Sequence, residues 1–600
     1  MIIVDGVGEL SVEQVKTFFT RVLTNHKKYS GEANFKILRD GADTLEIPVL
    51  SPLSQPNIFA KYPREEIFEL CKYFFQNADK LLSTSSNIHS YPSFANTYRE
   101  FIIAYPHRYK YTNLADQIPS DEVLGLIDRY EQISTYSLIN ETMRHRENLA
   151  DNPMLVSEYI KYSDKISQIQ LDLQQSDLGN AELERLGRAR EEAFKELHYF
   201  ERYALEKGHG LEASRNFSFE ENAEYFKDFE GILRVTTSGF LNNGLFFWGN
   251  SDNVFNFIYT HPEEEMKAKI KYAKSIIEYT PQKMIDERAL QRTLIELTEM
   301  LFNFPIVLPD KAKDTKIDWL IIPEQSTYLL PFELLQFRFQ SDTTTYHYLG
   351  EYVNISYAPS LSSYALFAQN NYEEQRRESA LLVSANPGLQ SASNYTSNLF
   401  ALRSNFGNLV YVDNEIDAIG QILRGKKLFE KKIKVKSFTS ETISEGNLKS
   451  IDLGAYKYIH IAAHGVHDSD DPKYSGILLG QDSNSQEDGI FQAHEIFLYN
   501  LKADLVTLSS CFSGFGEIDP NEGSLGIYRS FMIAGAKSVI ISLWNVEDES
   551  TSILFSKFYE YLKDGYSKSE ALRLAKLFIK NETEFSHPFY WAPFILMGES

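Results

Sequence analysis

Two stretches of the sequence carry apolar side chains at heptad spacing, which places them on one face of a helix. The first stripe consists of Leu155, Tyr159, Tyr162, Ile166, Ile169 and Leu173. After Gly179-Asn180, a step typical of a turn, the second stripe consists of Leu183, Leu186, Arg190, Ala193, Leu197, Phe200 and Ala204, of which Arg190 is the one polar member. The pattern predicts an antiparallel helical hairpin. Its simpler interpretation is a structural arm, and the alternative is a partner-binding surface.

Beyond the hairpin, residues 215–600 alternate short apolar runs with segments of helical period. This alternation predicts βαβ units around a largely parallel sheet. We therefore expect an α/β domain over 215–600, a helical hairpin within 116–214 and a mixed or helical region over 1–115, so that the part before the α/β domain is mainly α-helical. Within 1–115, helical patterns occur near 11–27 and 64–84.

The composition and charge of the chain exclude several classes of function. The chain has 600 residues and a formal net charge of −23, which is unsuited to direct binding of nucleic acid or an anionic membrane. Its two cysteines, Cys71 and Cys511, exclude a disulfide framework and Cys-only zinc or iron–sulfur sites. The N-terminus lacks the pattern of a signal peptide, and no apolar run is long enough to cross a bilayer. We expect a cytoplasmic protein without a metal or cofactor.

The chemistry points to two strand ends. One apolar run leads into His464-Gly465 and another into Cys511, which follows His464 by 47 residues, a spacing that resembles caspase-like enzymes. An imidazole can take the proton of a thiol and later protonate a leaving amine. The backbone N–H groups of Gly465 and Cys511 could stabilise an oxyanion. A cysteine or histidine at such a position is commonly structural, but the order, the spacing and the strand ends together favour a dyad.

Other chemistries fit the sequence less well. His460 and His464 are four residues apart, but no glutamate follows His460, so the zinc-protease pattern H-E-x-x-H is absent. A dinucleotide-binding glycine pattern starts at Gly514 and Gly516 but has Asp519 at its third position. A nucleotide-sensing module is therefore the weakest of the hypotheses.

Longer motifs carry a family resemblance. The runs YIHIAAHG, DPKYSGILLG, EDGIFQAHEI, ADLVTLSSC, EGSLGIYRSFMIAGAKSVIISLWNVEDEST and HPFYWAPFILMG occur in this order. They resemble the CHAT family of cysteine peptidases in the caspase and separase clan, over roughly 215–600 and most clearly over 317–598. The resemblance implies a caspase-like three-layer α/β sandwich with His464 and Cys511 at the catalytic positions. Ser510, Phe512 and Ser513 depart from the family's usual neighbours of the nucleophile.

The resemblance also implies a function. A protein of this build would cleave a specific protein partner through a thioester, under control of its N-terminal region and of an activating partner or ligand. It is similar to bacterial defence proteases that cut a gasdermin-like pore former. The alternative is a catalytically idle scaffold that binds partners with the same fold.

The pocket for the residue before the scissile bond is expected after the strand that follows the nucleophile. There, Trp544 is predicted to form an apolar wall. Separases resemble this run but carry an aspartate where Asn545 stands, and a neutral asparagine cannot form the same ion pair with an arginine or lysine of the substrate. Asp548 would either supply a negative charge or cap the helix that starts at this point, and the helix cap is the interpretation we favour.

Overall fold

The computed structural model describes residues 2–4, 8–10, 33–38, 44–49, 153–173, 179–207, 221–236, 244–249, 254–259, 261–279, 287–302, 306–308, 310–313, 316–369, 378–386, 409–425, 432–440, 442–466, 474–480, 487–511 and 523–600. Its strands are β1 (Ile2–Val4), β2 (Gly8–Leu10), β3 (Ala33–Leu38), β4 (Thr44–Val49), β5 (Gly231–Thr236), β6 (Gly244–Gly249), β7 (Val254–Tyr259), β8 (Ile306–Leu308), β9 (Asp318–Ile322), β10 (Gln336–Phe339), β11 (Asp342–Tyr348), β12 (Asn354–Tyr357), β13 (Ser379–Ser384), β14 (Lys434–Phe438), β15 (Tyr458–Ala462), β16 (His464–Val466), β17 (Gly476–Leu478), β18 (Ile490–Gln492), β19 (Leu505–Cys511), β20 (Ser538–Ser542) and β21 (Phe594–Gly598).

The α-helices of the described residues are α1 (Pro153–Leu173), α2 (Asn180–Lys207), α3 (Glu263–Tyr279), α4 (Glu287–Phe302), α5 (Leu361–Ala368), α6 (Val412–Arg424), α7 (Glu445–Lys449), α8 (Ala493–Ile496), α9 (Gly523–Ile533), α10 (Asp548–Lys563), α11 (Lys568–Glu582) and α12 (Pro588–Trp591).

A large mixed sheet organises the C-terminal part of the protein. Its described strands lie in the order β14-β13-β15-β19-β20-β21-β12-β9-β5-β6-β7. The run from β14 to β20 is parallel, β21 is antiparallel to β20, and β6 is antiparallel to both of its neighbours. Every residue of β13, β15, β20 and β21 is buried, as expected for central strands of a covered sheet. The predicted α/β class is confirmed.

Three smaller sheets accompany the large one. Strands β16, β17 and β18 form an antiparallel sheet directly after β15, and β11-β10-β8 form another. The third has the order β2-β1-β3-β4 and lies in the N-terminal region, where the sequence pattern did not predict strands. The helical patterns predicted near 11–27 and 64–84 lie outside the described residues, as does Cys71.

The predicted hairpin is present as α1 and α2, which together are called the arm. The ring of Tyr162 lies 5.4 Å from that of Phe200, and Lys165 Nζ lies 2.5 Å from Glu196 Oε2. Because later residues of α1 meet earlier residues of α2, the two helices are antiparallel. Tyr159 and Ile166 of α1 and Leu197 of α2 are buried in the same core as the large sheet. No helix within the described ranges combines the length and apolarity that a membrane span needs.

Candidate active site

The two predicted catalytic positions lie at the same edge of the large sheet. Strands β15 and β19 are parallel neighbours, and Ile461 pairs with Leu508 at the last rung of their ladder. His464 and Cys511 each follow this rung by three residues. Since parallel strands are about 4.8 Å apart, the two strands reach this edge of the sheet side by side. The carboxyl edge of a parallel sheet is where ligands and catalytic groups gather in α/β proteins.

His464 opens the small sheet β16-β17-β18. It pairs with Leu478, the adjacent Gly465 pairs with Ile477, and the imidazole of His464 is partly buried. Gly476 in the middle strand lets the three strands pack closely, because a Cβ there would lie 2.5 Å from Ile490 Cγ2. The position of His464 thus depends on the packing of this sheet as well as on β15.

Cys511 is the last residue of β19 and pairs with Ser542 of β20. The register between these strands shifts just before it, because Thr507 and Cys511 are four residues apart while their partners Ile540 and Ser542 are two apart. Irregularities of this kind are frequent next to active sites, where they redirect a side chain. The structure establishes that the backbone of Cys511 ends β19. The pairing of its thiol with His464 in a dyad stays a prediction.

A buried polar chain supports β15 beneath the site. His460 Nε2 lies 2.7 Å from Glu415 Oε1 of α6, and both side chains are inaccessible to solvent. The hydroxyl of Tyr559 on α10 lies 3.4 Å from His460 Nδ1 and 3.1 Å from Thr507 Oγ1 on β19. Both ring nitrogens therefore have partners, and the chain ties β15, β19 and the two helices together. In the sequence, His460 forms only half of an incomplete zinc motif, and no spacing rule signals Glu415 as its partner.

The predicted pocket residues lie in different environments. Trp544 is 1% exposed, and its indole Nε1 donates to the carbonyl of Phe589 at 3.0 Å. The ring therefore packs in the core, and direct contact with a substrate would require its neighbours to move. Asn545 is exposed between β20 and α10. The roles of both residues in substrate binding stay predictions.

The helix-cap interpretation of Asp548 is wrong. Glu547 occupies the N-cap position of α10, and Asp548 is the first residue of the helix. The Asp548 carboxylate instead accepts hydrogen bonds from the backbone N–H groups of Val410 and Tyr411, which lead into α6. Burial, opposed by these bonds, raises the pKa of Asp548 to about 6. The side chain thus links the segment after β20 to the start of α6, a contact that local sequence does not encode.

The family assignment follows from the whole C-terminal half. Residues 291–599 match the CHAT domain profile, which is more than half of the chain. The chain belongs to the CHAT domain family. All six sequence motifs that carry the family resemblance lie in this range, and so do both strand ends. Strands β5, β6 and β7 precede the matched residues but pair within the same large sheet.

The individual relatives and solved structures that resemble this protein match it over shorter stretches or at lower identity. Tetratricopeptide repeat protein 28 of Homo sapiens is 31% identical over 109 residues, and the Mus musculus protein matches equally. The match spans 18% of this chain but only 4% of those proteins. Among solved structures, the Saccharomyces cerevisiae separase–securin complex has a TM-score of 0.40 at 11% identity, covering 83% of this CHAT protein and 37% of that chain. The Arg-specific cysteine proteinase gingipain R has a TM-score of 0.31 at 10% identity, covering 56% and 74%.

Proposed function

We propose that this CHAT protein is a cysteine endopeptidase that cleaves a protein partner with His464 and Cys511. The observation that carries the proposal is that both residues follow the last β15–β19 rung by three residues, at the carboxyl edge of the sheet of a CHAT domain. A histidine next to a strand-end cysteine suits thiol activation, and a free thiol at its ordinary pKa is mostly protonated at neutral pH.

The proposed reaction has two steps. His464 takes the proton of Cys511, and the thiolate attacks the carbonyl carbon of the scissile peptide bond. The C–N bond then breaks, His464 gives its proton to the departing amine, and a thioester remains on Cys511. In the second step water, deprotonated by His464, attacks the thioester and releases the new carboxyl terminus and the thiol. The N–H groups of Gly465 and Cys511 are proposed to hold the oxyanion in both steps.

The biological setting is part of the same proposal. The arm and the region before it form a third of the chain, which favours an enzyme held in check until an activating partner or ligand binds. A protein substrate such as a gasdermin-like pore former, cut during a bacterial defence response in the cytoplasm, suits this organisation. A reducing compartment would keep Cys511 in the thiol form.

Active-site variants test the proposal. Cys511→Ala should abolish cleavage, and His464→Ala should reduce it nearly as much, since the two residues act as a unit. Comparing new protein termini in cells with wild-type and Cys511→Ala protein would identify the substrate, and an electrophilic peptide probe would report the thiolate. Cys71→Ala is the matched control and should keep full activity. Retained cleavage in Cys511→Ala, or probe labelling that does not need His464, would favour the idle scaffold.

A further inference from the structure

The arm docks on the small sheet that carries His464. Ser167 of α1 donates to Gln492 Oε1 at the end of β18, at 2.6 Å and out of contact with solvent. The ring of Tyr159 on α1 lies 5.7 Å from Phe497, and the ring of Phe194 on α2 lies 5.7 Å from Tyr474. Both helices of the arm therefore touch the residues that flank β17 and β18.

The docking site is two strands away from the histidine. Gln492 pairs with Gly476, and Gly476 pairs with Val466, two residues after His464. Gly476 leaves no free space, because a Cβ there would lie 2.5 Å from one neighbouring side chain and 3.0 Å from the backbone oxygen of Phe491. A tightly packed sheet of this size moves as one body, so a shift of β18 is transmitted to His464.

A cluster with an excess of acid lies beside this contact. Lys449 Nζ contacts the carboxylates of Glu445, at 2.6 Å, and of Glu487 and Glu495. The charged and titratable groups that face Glu495 from the surrounding elements are Lys449 and Glu445 on α7, Glu487 and Asp488 before β18, His494 on α8 itself, Tyr499 after it, and Asp164 on α1. We call these residues the acid cluster. One lysine cannot balance five carboxylates, and like charges in a buried site are destabilising.

The same residues also hold the backbone of the small sheet. Glu445 Oε2 accepts from the N–H of Gly489 at 2.6 Å, and Glu495 Oε2 accepts from the N–H of Gln492 at 2.8 Å. Asp488 Oδ1 accepts from the N–H of Ile490 at 2.8 Å. The charge state of the acid cluster is thus linked directly to β18, the strand on which α1 docks.

Protonation relieves the excess of negative charge. Burial raises the pKa of Glu495 to about 7 and that of Asp488 to about 6, and it raises the pKa of Glu445 well above its ordinary value. Asp164 lies at the exposed rim, and partial desolvation raises its pKa as well. Asp164 on α1 lies within 4.8 Å of Glu495 and His494, so each proton that the acid cluster loses adds repulsion between α1 and the small sheet. Docking is therefore strongest below about pH 4 and weakens as the pH rises through the raised pKa values of Asp488 and Glu495, about 6 and about 7.

We propose that the acid cluster is a proton-dependent latch, which holds the arm against the His464-bearing sheet when it binds protons and loosens the arm when it releases them. The latch would regulate the proposed peptidase, and only this regulatory effect rests on the proposed function. The docking itself is independent of any substrate. A rise in pH or a partner that pulls on α1 would act on the same sheet.

Hydrogen exchange tests the latch without reference to cleavage. Protection, corrected for the intrinsic rate at each pH, is measured for residues 158–168 of α1 and 487–498 around β18 at pH 5.5 and pH 7.5. In the wild-type protein we expect protection in both segments to fall at least about tenfold between these two pH values, since one titrating proton changes an equilibrium constant by up to about tenfold per pH unit. Protection of 538–542, the central strand β20, should stay constant.

Two variants test whether the acid cluster causes the change in protection with pH. Glu495→Gln keeps an acceptor for the N–H of Gln492 but removes the carboxyl whose pKa is raised to about 7, so the change between the two pH values should shrink to the part that Asp488 and Glu445 still supply. Glu196→Gln is the matched control, since it removes one arm carboxylate that pairs with Lys165 outside the acid cluster, and it should respond like the wild type. Wild-type protection that does not change with pH, or an undiminished response in Glu495→Gln, would overturn the latch. Loss of cleavage in Cys511→Ala bears only on the peptidase.

Discussion

Lys576 and Lys449 are both largely buried lysines that contact glutamates, but their charge environments differ. Lys576 Nζ on α11 lies 2.5 Å from one oxygen of Glu333, and the hydroxyl of Tyr357 donates to the other oxygen at 2.5 Å. Lys449 on α7 contacts three glutamates at once. The first site is a matched pair with its hydrogen bonds satisfied, and the second has more carboxylates than cations. A matched pair specifies one arrangement, whereas an unmatched cluster changes its stability with proton concentration.

The largest expected effect comes from breaking the matched pair. Lys576→Met leaves the Glu333 carboxylate buried without its cation, and a loss of one partner of this kind costs about 3–5 kcal/mol. Urea denaturation of the variant should show this as a lower midpoint with an unchanged slope.

The same helix offers a control for that experiment. Lys580 pairs with Glu351 at 2.8 Å on a more exposed part of α11, so Lys580→Met should cost at most about 1 kcal/mol. Equal losses in both variants would mean that burial does not distinguish the two pairs.

Features that depend on neighbours in sequence could be predicted, whereas contacts between distant segments could not. The heptad stripes and the alternation of strand and helix patterns depend on neighbours in sequence, so they predicted the arm and the α/β class. The positions of His464 and Cys511 at strand ends were visible for the same reason. The partnerships of Lys576 with Glu333 and of Glu415 with His460 join residues 243 and 45 positions apart. Such contacts are made by the sheet order, which the local pattern does not specify.

In the candidate site, too, local sequence predicts the positions of some residues but not the environments of others. The sequence pattern predicts that His464 and Cys511 follow two apolar strands, and the ladder between β15 and β19 shows that these strands are neighbours. The environments of Trp544 and Asp548 depended on distant segments, namely the carbonyl of Phe589 and the residues that lead into α6. A residue's own neighbours in sequence could not supply that information.

Removing the cation from the unmatched cluster should have an effect that depends on pH. Burial alone would lower the pKa of Lys449, but Glu495 and Glu445 raise it above its ordinary value, so the lysine is charged throughout the accessible range. Lys449→Met should cost about 3 kcal/mol at pH 8, where the carboxylates are ionised, and less than half of that at pH 5.5, where protons replace the cation. Denaturant midpoints of wild type and variant at both pH values check this. A pH-independent loss would show that Lys449 acts by packing alone.

The smallest effect is expected at Asp548. This residue tests whether a single carboxylate outside both lysine sites also makes the stability of the protein depend on pH. Burial raises its native pKa from 3.8 to about 6, so the native state favours the protonated form. Its contribution to stability is therefore greatest below about pH 4 and is lost as the pH rises through about 6. Asp548 is partly exposed, and solvent screening limits the loss to about 1 kcal/mol or less. Asp548→Asn cannot titrate, so the stability of the wild type relative to this variant should decline between pH 4.5 and pH 7. Paired urea titrations at the two pH values measure that difference and cancel the titration of all other groups. A difference that stays the same at both pH values would mean that Asp548 is ionised throughout and that the N–H groups of Val410 and Tyr411 outweigh its burial.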